Sequence, residues 1–396
     1  MTGNTDRMKD FSKIGLLGAC IEIKNNNYGS MLQSFATQEM LRNYGISFEL
    51  ISYRKKYTPI FIVKSIPRLL NRVVLQDKVN ENEKKQFIKS HPELKEEAKL
   101  RAQAFENFRR QYFKAPVASY CGYEMLKVGS RKYAAFLTGS DQLWSPSGLP
   151  TNLYNLMFTY DDAVRISYAS SFGVKEIPWY QKRRTKRYLE RIPFVSCREE
   201  SGAHIVKKLT GREVPVVADP TMLFDRQEWD ELIPHSENRI GRKYIFSYLL
   251  GTNEDCRRQV RKLSEVTGLP IVSIHQFVEA DYGFGDYSIK DADPVEFVNL
   301  IRNAECICTD SFHGSVFSII NHKKFVVFNR YAEENKASKN TRIDSLCKRL
   351  AITERRYSGD IVKDMEKEIV FDMIDEKMCE IRAESRKYLE NAFRAI

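Results

Sequence analysis

Cys306-Ile-Cys-Thr-Asp-Ser-Phe-His-Gly-Ser-Val-Phe-Ser-Ile-Ile-Asn321 decides the fold class of this chain. Its first four residues are short and apolar and predict a buried strand. Over residues 311–321, Phe312, Val316, Phe317 and Ile320 fall on one side of a helix. Upstream, Val295, Val298, Leu300 and Ile301 give residues 294–305 helical spacing, and residues 325–328 form a second strand. The turn between strand and helix carries Asp310, Ser311, Phe312, His313 and Gly314. Open α/β sheets bind ligands at such turns, where free N–H groups and the helix dipole favour an anion. An imidazole beside an anion is suited to moving a proton next to a phosphate. The plainer alternative is a packing or capping histidine, with Asp310 or Ser311 as the N-cap.

The same strand–loop–helix rhythm runs outward in both directions. A strand at 14–20 leads into a polar loop ending Asn27-Tyr28-Gly29, a helix at 30–43 and a strand at 46–53. Further strands at 133–138, 165–171, 194–197 and 214–218 each end in a polar loop. Asp141, Gln142 and Trp144 follow the first of these; the carboxylate and the amide suit hydroxyls and the indole suits a sugar ring, although core packing of Trp144 competes. Arg198 stands at a strand end before a helix, where a fixed guanidinium suits a phosphate or carboxylate. Its alternative is an ion pair with Glu199, Glu200 or Asp219. Residues 228–242 read as a linker. Strands at 244–250 and 271–275 and a helix at 254–267 open a second half, and residues 281–286 and 331–342 read as mobile loops. Residues 374–395 have the spacing of a long helix that crosses back to brace the first half. The expected division is 1–235, with a helical insertion at 54–115, and 236–396.

The chain has 396 residues and a formal charge of +11, enough for two cored domains. Between Arg54 and Lys114 there are 16 basic and 7 acidic residues, so most of the excess sits in the insertion. Within 55–78, Lys55, Lys56, Lys64, Arg68 and Arg72 alternate with apolar residues, a pattern that suits an anionic membrane surface; a helical hairpin with a solvated basic face is the alternative. The eight cysteines show no C-x-x-C pair and read as reduced, mostly buried thiols. A polar start and the lack of a spanning apolar run lead to the expectation of a cytoplasmic protein, peripheral at most to the inner membrane. No nucleic-acid motif or stacking platform is present, and no nucleic-acid partner is expected.

The ordered loops Asn-Tyr-Gly, Gly-Ser-Asp-Gln-Leu-Trp, Tyr-Ala-Ser-Ser-Phe-Gly, Ser-Cys-Arg-Glu-Glu-Ser, Ala-Asp-Pro-Thr and Thr-Asp-Ser-Phe-His-Gly resemble the polysaccharide pyruvyl transferase family over nearly the whole chain. That resemblance implies two Rossmann-like domains facing a cleft, similar to the GT-B type. It implies transfer of the phosphoenolpyruvate skeleton onto two sugar hydroxyls as a ketal. It matches His313 to the family's donor-site histidine and Arg198 to its donor-binding arginine. Some members carry Arg where this chain has Ser311.

The expected roles follow. His313 is the general acid and Asp310 orients it. Arg198, Ser311, Phe312, Gly314, Lys339 and Arg342 bind the donor. Asn27, Tyr28, Asp141, Gln142 and Trp144 line the acceptor side. No metal or cofactor beyond the co-substrate phosphoenolpyruvate is expected, and the acceptor is expected on a lipid-linked oligosaccharide of capsule or exopolysaccharide synthesis. A nucleotide-sugar glycosyltransferase and a non-catalytic membrane or nucleic-acid binder are the alternatives.

Overall fold

The computed structural model describes residues 10–21, 26–59, 62–63, 66, 72–148, 152–330 and 341–396. The first sheet contains β1 (Asp10–Leu17), β2 (Ser47–Arg54), β3 (Val117–Cys121), β4 (Tyr133–Thr138), β5 (Val164–Ser170) and β6 (Phe194–Cys197). The second contains β7 (Ile245–Tyr248), β8 (Ile271–Ile274), β9 (Tyr287–Ile289), β10 (Cys306–Thr309) and β11 (Lys324–Val327).

The first sheet runs β3-β2-β1-β4-β5-β6 and the second β11-β10-β7-β8-β9. Every pairing within both is parallel. Each sheet therefore reverses direction once, between β1 and β4 and between β7 and β10, which is the Rossmann order. The central strands are apolar on both faces, as sheets covered by helices on both sides require; β7, β8 and β10 are buried at every residue. The expected α/β class with two Rossmann-like halves is present.

The two halves share a core. Tyr28 is its centre: its ring stacks on Phe297 at 5.0 Å and meets Phe105 and Tyr248 edge-on, while Oη donates to the Ala292 carbonyl at 2.8 Å. Such offset and edge-on ring pairs each add about 1 kcal/mol to the burial itself. The insertion forms helices Arg72–Ser90 and Pro92–Tyr112, separated at Pro92, whose ring cannot continue a helix but suits its first turn. Phe105 and Phe108 are buried and anchor the second helix. Arg101 goes further. Its guanidinium donates to the carbonyls of His275, Ile289 and Lys290 in the second half, at 2.6, 3.0 and 2.7 Å. The last helix, Phe371–Phe393, crosses to the first half, where Tyr388 Oη donates to the Ser167 carbonyl and Ser385 Oγ accepts from the Ala218 N–H.

Some local expectations fail for identifiable reasons. Residues 214–218 make a single bridge, Cys197 to Val216, rather than a strand, because Pro215 has no N–H to continue a ladder. The linker read at 228–242 begins inside a helix, Arg226–Leu232, started by a capping box between Asp225 and Glu228 and held by the buried Trp229. The 281–286 loop is anchored rather than loose: Asp281 pairs with Arg257 at 2.5 Å and Phe284 is buried. Arg342 lies in a helix, Thr341–Arg349, while residues 331–340 with Lys339 lie outside the described residues.

Candidate active site

The helix that carries His313 spans Phe312–Ile320. Ser311 is its N-cap, with Oγ accepting from the Gly314 N–H at 3.2 Å. Thr309 Oγ1 accepts from the Ser311 N–H and donates to the Tyr248 carbonyl, which ties the turn to β7. A Cβ at Gly314 would lie 2.6 Å from Thr309 Oγ1, so this tight turn admits only glycine. Opposite, helix Tyr28–Asn43 starts with Asn27 as N-cap, its Oδ1 accepting from the Ser30 N–H. Two helix N-termini from different halves thus converge, each with its positive dipole end towards the same space.

That space is a cleft of about 520 Å³. Asn27, Ser30, Lys55, Asp141 and Gln142 line it from the first half, and Ser311, Phe312, His313, Arg330 and Arg342 from the second. Asp141 has a left-handed backbone, φ +78°, unusual for a residue with a side chain and typical of functional sites. Its carboxylate accepts from Ser30 Oγ and lies 3.7 Å from Arg198 and 3.9 Å from Arg342. Burial pushes the Asp141 carboxyl up, but the charges of Arg198, His313 and Arg342 more than offset this and hold it below its ordinary value. Arg342 is pushed down to about 10, by burial first and then by the nearby cations Arg198 and Arg330.

The carboxylate facing the imidazole is Asp219, not Asp310. Asp219 Oδ1 stands 3.6 Å from His313 Nε2, a charge contact too long for a hydrogen bond. Asp219 is fully buried and saturated: Oδ1 accepts from Thr221 N and Oγ1, and Oδ2 from Ser140 Oγ and Arg198 Nη1 at 2.7 Å. Burial alone would raise its carboxyl. The charge of His313 and the bonded Arg198 win and hold it well below the usual carboxylate range. Asp310 has a different task. Its two oxygens accept from the Leu250 and Gly251 N–H groups at 2.8 and 2.7 Å, and Arg330 lies 3.4 Å away.

Other expected positions also move. Arg198 is sealed under the Phe312 ring, 4.6 Å from its centroid, and forms the Asp219 ion pair that was the alternative reading. Trp144 is buried in the first-half core, with Nε1 donating to the Tyr154 carbonyl, and offers no face to a sugar. Tyr28 is the interlobe core residue described above, so neither aromatic is an acceptor platform. Gly314 serves the turn. Asp219 was seen in the sequence only as one alternative partner of Arg198 and as part of the Ala-Asp-Pro-Thr loop, not as a partner of His313, and Arg330 was not singled out. The signal for Arg330 was its place just beyond β11, at the same carboxyl edge as His313. Among the described residues no group of three or more His, Cys, Asp or Glu side chains is placed to hold a metal ion, and no helix is long and apolar enough to cross a membrane.

A family profile described as polysaccharide pyruvyl transferase matches residues 27–331. No curated protein matches the chain. Solved structures similar to it include Neisseria meningitidis UDP-GlcNAc 2-epimerase bound to UDP-GlcNAc, at 10% identity and TM-score 0.44, covering 97% of this chain and 94% of that one. Staphylococcus aureus MnaA with UDP is similar at 12% identity and TM-score 0.47, covering 90% of each. Acinetobacter baumannii MurG is similar at 8% identity and TM-score 0.42, covering 95% of each.

Proposed function

The chain belongs to the polysaccharide pyruvyl transferase family, and from that premise we propose that it moves the three-carbon skeleton of phosphoenolpyruvate onto two hydroxyls of a sugar as a cyclic ketal. One observation carries the donor assignment. Cationic and donor groups are crowded into the cleft beyond what its carboxylates satisfy: Arg342 Nε and His313 Nε2 have no hydrogen-bond partner among the described residues. A donor with a carboxylate and a phosphate would relieve that crowding. Arg330 and Arg342, with the two helix N-termini, would receive it. Arg198 then acts from beneath, by fixing Asp219.

The chemistry needs a proton on the methylene carbon. His313 is the acid. The Asp219 carboxylate faces Nε2 at 3.6 Å and fixes how the ring is turned. Protonation leaves cationic character at C2, which the ionised Asp141 offsets. The first sugar hydroxyl bonds to C2 and its proton returns to the imidazole. The second hydroxyl then displaces phosphate and its proton leaves with phosphate, so one donor and one diol give one ketal and one hydrogen phosphate. Incubation with phosphoenolpyruvate and a panel of glycans should give a product heavier by one pyruvate less one water, with phosphate released. His313→Gln should lower that rate by about 100-fold or more. Labelled phosphoenolpyruvate that leaves every glycan unlabelled would remove the reading.

The acceptor in this reading is lipid-linked and met at an anionic membrane surface. Its support lies in the insertion. Tyr57, Ile62, Val63 and Ile66 are 71, 58, 63 and 54% exposed, beside a basic stretch whose first lysine, Lys55, lines the cleft. Ile62→Glu/Val63→Glu should reduce flotation with anionic liposomes. Wild-type protein that stays at the bottom of the gradient with both anionic and neutral vesicles would count against membrane contact.

A further inference from the structure

We propose that Gly29 is a positioning residue for His313: the side chain it lacks is the seat of the imidazole, so the acid carried by the second half is aimed by the first. This rests on the reading of His313 as the acid. A Cβ built on Gly29 would lie 2.1 Å from His313 Nδ1, 2.5 Å from Cγ and 2.9 Å from Cβ. No carbon approaches that closely, so the ring rests directly on the Gly29 backbone. Across the ring stands Asp219, 3.6 Å from Nε2. Both walls belong to the chain before residue 235, and the imidazole enters between them from the other half.

Neither wall has room to retreat. Asp219 is fixed by Thr221, Ser140 and Arg198. Gly29 is held on one side by Tyr28, whose hydroxyl bonds the Ala292 carbonyl and whose ring is packed against Phe297. On the other, Asn27 Oδ1 caps the same turn through the Ser30 N–H. The buried Tyr28 thus seats the helix start, and the missing side chain beside it admits the ring. The glycine of Asn-Tyr-Gly is required by this close approach rather than by a turn conformation, since its backbone is helical. A methyl group there would force the ring out of its seat between Gly29 and Asp219. The proton-transfer geometry would be lost while the cations at Arg330 and Arg342 stay in place.

Two measurements separate this from a general role of the glycine in folding. In steady-state assays, Gly29→Ala should lower kcat by about 100-fold, the order expected for loss of a positioned acid, with KM for phosphoenolpyruvate changed less than about threefold. Independently of activity, thermal melts of Gly29→Ala, His313→Gly and the double variant form a cycle. The Tm drop caused by Gly29→Ala should largely vanish in the His313→Gly background, where neither the ring nor its Cβ occupies the seat. Equal drops in both backgrounds, or a Gly29→Ala enzyme with wild-type kcat, would overturn the proposal. Coupled melts in a protein that never consumes phosphoenolpyruvate would sustain the seat and sink only the reaction assigned above.

Discussion

Asp219 shows how a fully buried carboxylate stays charged. It accepts four hydrogen bonds, one from a guanidinium, and faces an imidazole. Asp219→Asn keeps the shape and deletes the charge. Arg198, only 1% exposed at its side chain, would then be a buried cation without its hydrogen-bonded carboxylate, with Asp141 left at 3.7 Å. Breaking one member of such a pair costs about 3–5 kcal/mol, so urea unfolding should show a loss of that order. The pH dependence follows in sign. The folded-state value of Asp219 lies below the unfolded value of about 3.9. Its contribution is therefore whole above that value and is lost as pH falls below it, because the unfolded chain then binds the proton first. Wild-type stability should fall steeply through that acidic window and the Asn variant should fall less. Parallel curves would assign acid lability to other carboxylates.

At the scale of elements, the insertion is a strut. Helix Pro92–Tyr112 leaves the first half between β2 and β3 and delivers Arg101 to three carbonyls of the second. A guanidinium is suited to this because its planar fork presents five donors at once. Arg101→Met keeps much of the apolar stem but leaves those carbonyls short of donors. Hydrogen bonds from charged groups contribute about 1.5–3 kcal/mol each, and partial solvation will recover some of that. A loss of about 3 kcal/mol is expected, with faster amide exchange at the backbone near His275 and Ile289; unchanged exchange there would mean the halves are held elsewhere. This helix also marks the limit of what the residue pattern discloses. The turn at Asp310–Gly314 was legible because its parts are local: an apolar strand, a serine cap, a helical stripe. Helix existence in the insertion was legible for the same reason. The partner of His313 was not, since Asp219 lies 94 positions earlier and meets it only when two sheets dock. Trp144 and Tyr28 were misplaced because an aromatic beside a glycine-rich loop looks alike whether it faces solvent or core. Only packing decides between them, and one-dimensional spacing contains no packing across domains.

At the scale of the whole molecule, the cleft is a cationic seam between two halves that are already fastened by Tyr28, Arg101 and the last helix. The formal charge of +11 matters less here than where the buried cations sit. Arg342 lies near Arg198 and Arg330; burial first, then these cations, depress it to about 10, with Asp141 offsetting part of the repulsion. An anion bound there attracts every cation at once and lowers the free energy of the folded state only. Inorganic phosphate should therefore raise Tm, and phosphoenolpyruvate should raise it further because it adds a carboxylate. A ligand at one hundred times its Kd stabilises by about 2.7 kcal/mol, which is readily seen as a shift of several degrees in a scanning melt. Arg342→Gln should abolish most of the phosphoenolpyruvate shift while raising, or leaving equal, the Tm of the ligand-free protein. Removing one of three crowded cations relieves repulsion in the absence of the donor. Sodium chloride at matched ionic strength is the control, because screening acts on exposed charges far more than on a seam this enclosed. If chloride reproduces the phosphate shift, the stabilisation comes from the surface charge of the insertion and the cleft has no anion site. If phosphate and phosphoenolpyruvate both shift the wild type and only the second loses its advantage in Arg342→Gln, the carboxylate is bound by Arg342 and the phosphate by Arg330 and the helix N-termini.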